Sequence, residues 1–85
     1  MSKIKQKEIN IAVIGLGYVG LPLAVEFSKH YPVTGFDLDE KRIKELESGF
    51  DRTCEIEKST LLEANNLALT AKTNELEDSN VYIIT

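Results

Sequence analysis

The stretch that decides the fold spans residues 9–20 and reads Ile9-Asn10-Ile11-Ala12-Val13-Ile14-Gly15-Leu16-Gly17-Tyr18-Val19-Gly20. Its first half is short, β-branched and followed at once by glycine, which predicts a strand buried on both faces. Its second half is a Gly-x-Gly-x-x-Gly loop, and apolar residues recur after it at near-helical spacing up to Lys29 and His30. A glycine loop between a buried strand and a helix predicts a dinucleotide-binding site.

The three glycines suit three different tasks in such a site. Gly15 allows the tight turn out of the strand, Gly17 lets the backbone approach a pyrophosphate, and Gly20 lets the helix pack closely on the strand. The start of the helix adds free N–H groups and a partial positive charge that favour phosphate. The alternative is that these glycines are only structural residues of a strand–helix junction.

An acid at the end of the second predicted strand completes the pattern. Asp37 lies 17 residues after Gly20, where a carboxylate accepts hydrogen bonds from the adenosine ribose hydroxyls and disfavours the 2′-phosphate of NADP. Arg42 complicates that preference, because an arginine also pairs well with phosphate. A capping role is the alternative for Asp37, and Asp39 competes for that role.

The remaining sequence alternates between strand and helix patterns. Strands are predicted at 33–37, 67–70 and 81–85, with a helix at 40–48 that Asp39 caps and Gly49 ends. Thr60 with Glu63 predicts a capping box that opens a short helix, and Asn74 with Glu77 predicts one further helical turn. This order predicts an α/β fold, namely a Rossmann-like parallel sheet with flanking helices and right-handed crossovers. The expected fold is incomplete: residues 1–8 form a flexible tail, and residues 9–85 form the N-terminal part of a dinucleotide-binding domain.

Composition narrows the possible partners. The chain has 85 residues, 42% hydrophobic and 28% charged, which is typical of a soluble globular protein. A net charge of −4 disfavours nucleic acid as a partner, and no apolar run is long enough to span a membrane. The single cysteine, Cys54, excludes an internal disulfide and fits a cytoplasmic location.

The segment Gly15–Ala24, with its Tyr-Val-Gly-Leu extension, is far more specific than the glycine pattern. It resembles the start of the nucleotide-sugar 6-dehydrogenases, the UDP-glucose/GDP-mannose dehydrogenase family. The resemblance continues through Gly35–Asp37 and Arg42–Leu46 and covers residues 9–85. Segment 49–55, of the form Gly-x-Asp-x-Thr-x-Glu, resembles the branch that acts on UDP-N-acetylhexosamines (UDP-GalNAc and UDP-GlcNAc) in bacterial surface polysaccharide synthesis, including the Vi antigen type. Other branches usually carry a Glu-Pro pair there.

The resemblance implies NAD as the cofactor, a UDP-sugar as the substrate of the full-length enzyme, and a homo-oligomer. It implies a two-step, four-electron oxidation of the sugar C6 alcohol to a carboxylate, with two NAD⁺ reduced. It assigns pyrophosphate binding to the loop, ribose binding to Asp37 and a place beside the adenosine to Arg42; the loop residues are Gly15, Leu16, Gly17, Tyr18, Val19 and Gly20. The family's catalytic cysteine and lysine lie far downstream, so we expect no catalytic residue and no metal ligand in this chain.

Two other functions remain open at this point. One is a regulatory nucleotide-sensing module with the same fold and no redox chemistry. The other is a different family of hydride-transfer enzymes, such as hydroxyacyl or prephenate dehydrogenases, although these rarely carry Tyr-Val-Gly-Leu-Pro after the second glycine.

Overall fold

A computed structural model describes residues 9–85, and within that range four parallel strands form one sheet. The strands are β1 (Ile11–Ile14), β2 (Val33–Phe36), β3 (Leu67–Thr70) and β4 (Val81–Ile84). Their order across the sheet is β3-β2-β1-β4, and every neighbouring pair is parallel. The predicted α/β class and parallel sheet are confirmed, whereas the predicted N-terminal tail, residues 1–8, lies outside the described residues.

Helices connect the strands, as the alternation predicted. They are α1 (Gly20–Ser28), α2 (Glu40–Glu47) and α3 (Lys58–Glu63), followed by a 3-10 helix (Thr73–Leu76). α1 packs on β1 and β2, and α2 packs on β3 and α3. No helix within residues 9–85 is both long enough and apolar enough to cross a bilayer.

The core forms between the sheet and the apolar sides of these helices. The β1 strand is buried on both faces, with Ile11, Ala12 and Val13 at most 4% exposed. Pro22 sits in the first turn of α1, where no intrahelical N–H partner is needed. The other buried residues of the core cluster are Leu16, Leu21, Ala24, Val25, Val33, Ile43, Leu46 and Leu61.

The second helix begins at Glu40, where the sequence predicts, and ends at Glu47, one residue before the predicted end. The Asp39 carboxylate accepts hydrogen bonds from the N–H groups of Lys41 (3.0 Å) and Arg42 (3.3 Å), which caps α2. The helix is followed by Gly49, whose φ of +92° is the left-handed conformation that favours glycine.

Two predicted helix starts are wrong. α3 begins at Lys58 because the N–H of Leu61 donates to the carbonyl of Glu57 (3.1 Å), so Thr60 lies inside the helix and forms no capping box. The later turn is a 3-10 helix because the N–H of Glu75 donates to the carbonyl of Lys72 (3.2 Å), which places Asn74 inside it. In both cases the helix begins earlier in the sequence than the residue that was predicted as its cap, and a main-chain hydrogen bond forms its first turn.

The register of the sheet brings the functional loops together. Ile14 of β1 lies opposite Phe36 of β2 on one side and opposite Ile84 of β4 on the other. The residues that follow these three strands therefore emerge side by side at one edge of the sheet. In parallel sheets, ligands bind in the crevice at this carboxyl edge.

Candidate functional site

Gly15 makes the turn out of β1, and only glycine suits it. Its φ is +99°, a region that residues with a side chain rarely adopt. Its N–H donates to the carbonyl of Phe36 (2.8 Å), and its carbonyl accepts from the hydroxyl of Thr85 (2.8 Å). A Cβ on Gly15 would stand 2.9 Å from that same hydroxyl oxygen. The neighbouring strand ends thus fix the beginning of the glycine loop.

Gly20 allows α1 to lie directly against the loop, as its position predicted. A Cβ at residue 20 would stand 1.6 Å from the carbonyl oxygen of Gly15, and no real side chain tolerates such a contact. The helix start is therefore held at van der Waals distance from the strand–loop turn.

Gly17 faces open space instead. Among the described residues, no heavy atom outside its immediate chain neighbours lies within 4 Å of where its Cβ would stand. Tyr18 and Val19, which follow it, are 69% and 67% exposed. No side chain within residues 9–85 caps the start of α1. The loop thus presents the backbone of Gly17 and an uncapped helix start outward.

The Asp37 carboxylate points at the glycine loop. Its Oδ2 accepts a hydrogen bond from the N–H of Leu16 (3.0 Å), and its Oδ1 accepts one from the N–H of Asp39 (3.0 Å). Each carboxylate oxygen has two lone pairs, so both oxygens keep acceptor capacity. Beside the carboxylate lies a shallow groove of about 180 Å³, lined by Ile14, Gly15, Phe36, Asp37 and Leu38. The acid and the glycine loop therefore share one groove.

Leu16 contributes through its backbone, because its side chain is fully buried in the core. Its N–H is bound by Asp37, while its carbonyl accepts two hydrogen bonds from Arg42, from Nε (2.8 Å) and Nη2 (2.6 Å). Both polar groups of this residue are thus used inside the protein. These hydrogen bonds hold the backbone of the glycine loop in place.

Arg42 is buried, with only 4% of its surface exposed. Besides Leu16, it binds Asp51, whose Oδ1 lies 3.0 Å from Nη1 in an ion pair shielded from solvent. The sequence singled out Arg42 as a residue beside the adenosine, and it does lie next to the glycine loop. The structure adds that its guanidinium donates hydrogen bonds within the protein.

Asp51 was noted in the sequence as part of a branch-specific segment, but its ion pair was not predicted. Besides Arg42, its carboxylate accepts hydrogen bonds from the N–H and hydroxyl of Thr53 (3.0 and 2.6 Å) and from the N–H groups of Glu55 (2.9 Å) and Ile56 (3.0 Å). Burial alone would raise the pKa of Asp51, but the hydrogen bonds from Thr53, Ile56 and Arg42 outweigh it and lower the pKa from 3.8 to about 2. Asp51 is therefore ionised throughout the physiological range.

Thr85 is a second contact that sequence reasoning missed. Its hydroxyl donates to the carbonyls of Gly15 (2.8 Å) and Ile14 (3.1 Å), so it holds the loop from the β4 side. A signal for it existed in the pairing of two parallel strands, because aligning β1 with β4 places residue 85 opposite Gly15. That register could not be read before the strand order was known.

The other candidate groups do not assemble into a site. Cys54 is exposed and lies in the loop before α3, at a φ of +61°. The part of the chain that the structure describes holds no group of three or more His, Cys, Asp or Glu side chains placed to bind a metal. A larger groove of about 470 Å³ lies between α1 and α3, away from the carboxyl edge of the sheet.

The known proteins that the chain resembles include two bacterial UDP-N-acetyl-D-glucosamine 6-dehydrogenases. The chain is 49% identical over 79 residues to the UDP-N-acetyl-D-glucosamine 6-dehydrogenase of Pseudomonas aeruginosa, covering 93% of this chain and 19% of that protein. It is 51% identical over 78 residues to the enzyme of the same name from Salmonella typhi, covering 92% and 18%. The chain thus spans about a fifth of the length of these curated relatives.

The fold is also found in a solved structure, the UDP-D-ManNAc dehydrogenase from Pyrococcus horikoshii. It matches with a TM-score of 0.85 and 38% identity over 91% of this chain and 20% of that one. Residues 9–85 match the family model described as UDP-glucose/GDP-mannose dehydrogenase family, NAD binding domain. The resemblance carried by the glycine loop is therefore confirmed, and the chain belongs to the UDP-glucose/GDP-mannose dehydrogenase family.

Proposed function

We propose that this chain is the NAD-binding part of a UDP-N-acetylhexosamine 6-dehydrogenase. The observation that carries the proposal is the hydrogen bond between the Asp37 carboxylate and the N–H of Leu16 (3.0 Å). This bond joins the acid that we expect to bind ribose to the loop that we expect to bind diphosphate. This is the arrangement that a dinucleotide with two such groups needs.

The residues present fit NAD⁺. The open space at Gly17 leaves room for a diphosphate against the backbone, and the uncapped start of α1 offers N–H groups and a positive dipole end. Tyr18 and Val19 flank that approach. The two oxygens of Asp37 that still have acceptor capacity would receive the ribose hydroxyls. When bound, NAD⁺ supplies the hydride acceptor, while these residues bind and orient it.

The same groups favour NAD over NADP. The charge of Asp37 would repel a 2′-phosphate in the position where it accepts the ribose hydroxyls. Arg42, the cation that could have offset this, is buried and paired with Asp51. Its place beside the adenosine stays a prediction, but its positive charge is already balanced inside the protein.

The substrate is proposed from the branch to which the relatives belong. The two relatives described above are named as UDP-N-acetyl-D-glucosamine 6-dehydrogenases, and the Asp51–Thr53 segment is the branch feature that the sequence carries. We expect oxidation of the C6 alcohol of a UDP-N-acetylhexosamine to the uronate in the cytoplasm, as a step in surface polysaccharide synthesis. The catalytic residues are expected outside this chain, and the homo-oligomer predicted for the full-length enzyme also stays a prediction.

The full-length protein should be incubated with NAD⁺ and, in turn, UDP-GlcNAc, UDP-GalNAc, UDP-ManNAc, UDP-glucose and GDP-mannose, with NADH absorbance as the readout. We expect turnover with an N-acetylated UDP-sugar, two NADH formed for each sugar consumed, and little activity with NADP⁺. Absence of NAD⁺ reduction with every one of these sugars would contradict the proposal. NAD⁺ binding without any turnover would instead favour a regulatory sensing module.

A further inference from the structure

The glycine loop is held at Leu16 by two charged side chains acting from opposite sides. Asp37 accepts from the N–H of Leu16 (3.0 Å), and Arg42 donates twice to its carbonyl (2.8 and 2.6 Å). Leu16 lies between Gly15, which makes the turn, and Gly17, whose Cβ position faces open space among the described residues. The Arg42 guanidinium thus contacts the loop backbone between Gly15 and Gly17 directly.

The position of Arg42 depends in turn on a segment that begins nine residues after it, which we call the Asp51 loop (residues 51–56). Nη1 of Arg42 lies 3.0 Å from Oδ1 of Asp51, and these side chains are 5% and 0% exposed. The loop closes around the same carboxylate through the N–H and hydroxyl of Thr53 and two further N–H groups. The conformation of the Asp51 loop and the orientation of Arg42 thus depend on the same carboxylate.

Because the charges of Arg42 and Asp51 are both buried, separating them is energetically costly. A guanidinium without its carboxylate in a solvent-shielded place is strongly disfavoured, so loss of Asp51 would drive Arg42 toward solvent and away from the Leu16 carbonyl. Arg52, the neighbouring arginine, has no such constraint. Its side chain is 43% exposed and forms ion pairs with Glu45 (2.7 Å) and Asp39 (3.9 Å), and exposed pairs contribute little to stability.

We propose that Asp51 and Arg42 are positioning residues for the dinucleotide, through which the Asp51 loop sets the conformation of the glycine loop. This inference rests on the proposed function, because it takes NAD⁺ to be the ligand of that loop. It assigns a role in cofactor affinity to a segment that lines neither the groove beside Asp37 nor the start of α1. Asp51 acts only through Arg42, and Arg42 acts on the diphosphate only through the backbone of Leu16.

The test uses the full-length protein and measures the dissociation constants of NAD⁺ and of the UDP-sugar separately by calorimetry. Asp51→Asn keeps the shape of the side chain but removes the charge that holds Arg42, and we expect NAD⁺ to bind at least tenfold more weakly. We expect UDP-sugar affinity to stay within about twofold. The matched control, Lys29→Gln, removes an exposed ion pair with Glu26 (3.2 Å) that lies outside the Asp51 loop, and it should leave both constants unchanged.

Two milder variants keep the test decisive if Asp51→Asn does not fold. Arg42→Lys keeps the positive charge but loses the planar fork that gives Leu16 two hydrogen bonds, and Thr53→Val removes only the 2.6 Å hydroxyl contact to Asp51. Both should weaken NAD⁺ binding, Arg42→Lys more than Thr53→Val. The double variant Asp51→Asn/Arg42→Lys should bind NAD⁺ no more weakly than the weaker of the two single variants, since both lie in one chain of contacts.

Several outcomes would overturn the inference. If the folded variants bind NAD⁺ as the wild type does, the Asp51 loop does not position the glycine loop. If NAD⁺ and UDP-sugar affinities fall in equal proportion, the ion pair is a general stability element and not a positioning device. Failure of the proposed function is distinct, because it appears in the wild-type protein as an absence of NAD⁺ binding.

Discussion

Two alanine substitutions in the glycine loop should separate cofactor binding from folding. Gly17 and Gly20 belong to the same motif, yet the structure gives them opposite surroundings. A Cβ at residue 17 meets no heavy atom within 4 Å among the described residues, whereas one at residue 20 would stand 1.6 Å from the Gly15 carbonyl oxygen. The two positions therefore predict different losses from the same added methyl group.

For Gly17→Ala we expect almost no change in stability, within about 0.5 kcal/mol, as for other exposed sites. The methyl group enters the space where the diphosphate is expected to rest against the backbone. Overpacking by a methyl group costs about 1–3 kcal/mol, which corresponds to a dissociation constant for NAD⁺ raised roughly 5- to 150-fold. The affinity for the UDP-sugar should not change.

For Gly20→Ala the cost falls on the protein itself. The backbone of the loop or the start of α1 must shift by more than an ångström to remove the overlap with Gly15. This strain of about 1–3 kcal/mol or more exceeds the roughly 1 kcal/mol that alanine gains over glycine in a helix. We expect a lower unfolding temperature and, as a consequence of the shifted loop, weaker NAD⁺ binding.

The assay is thermal unfolding of both full-length variants together with NAD⁺ titration by calorimetry. The two variants should differ. Gly17→Ala should be as stable as the wild type but bind NAD⁺ poorly, and Gly20→Ala should be less stable than the wild type. A Gly17→Ala protein with wild-type NAD⁺ affinity would refute the idea that a diphosphate rests on the backbone of residue 17. A Gly20→Ala protein of unchanged stability would refute the close packing of α1 on the loop.

Three further predictions concern the charge of Asp37, the charge of Asp51 and the isolated 85 residues. Asp37→Asn should lower the preference for NAD⁺ over NADP⁺ at least tenfold, measured as the ratio of the two dissociation constants; an unchanged ratio would argue against a ribose contact. Because the pKa of Asp51 is lowered from 3.8 to about 2, its ionised form contributes about 2 kcal/mol of stability that is complete above pH 3.8 and lost as the pH falls toward 2. Acid titration of Asp51→Asn should therefore show a flatter loss of stability over this range, and a slope equal to that of the wild type would contradict it. The isolated 85 residues should bind NAD⁺ weakly or not at all and show no turnover, because β4 is an outer strand with Tyr82 and Ile84 50% and 78% exposed; calorimetric binding in the micromolar range would disprove this.

The fold was predictable from the sequence because its signals are local. A β-branched apolar run followed by glycine marks β1, and an aspartate before alternating charges with a later glycine marks α2. The errors arose where a side-chain capping pattern and the main-chain hydrogen bonds favour different helix starts. Thr60 and Asn74 both look like helix caps, but main-chain hydrogen bonds from Leu61 and Glu75 start those helices earlier.

The site was only half predictable, because its support comes from contacts between distant residues. Gly15, Gly20 and Asp37 could be placed from spacing alone. The contact of Thr85 with Gly15 needed the strand order, and the Arg42–Asp51 pair needed the path of the loop after α2. Arg42 illustrates the difficulty: the resemblance places it beside the adenosine, but its burial at 4% exposure and its pairing with Asp51 appear only in the structure.

The dual use of Asp37 affects how any substitution there should be interpreted. Its carboxylate supports the loop through the N–H of Leu16 and, in the proposed function, also binds ribose, so a loss of NAD⁺ affinity in Asp37→Asn combines both effects. Inorganic pyrophosphate has no ribose and reports on the loop alone. If the substitution weakens NAD⁺ but not pyrophosphate, the loop is intact and the ribose contact accounts for the loss. If both weaken together, the amide has disturbed the Leu16 backbone, because an Asn side chain has one acceptor oxygen for the two N–H donors, Leu16 and Asp39, that Asp37 now binds.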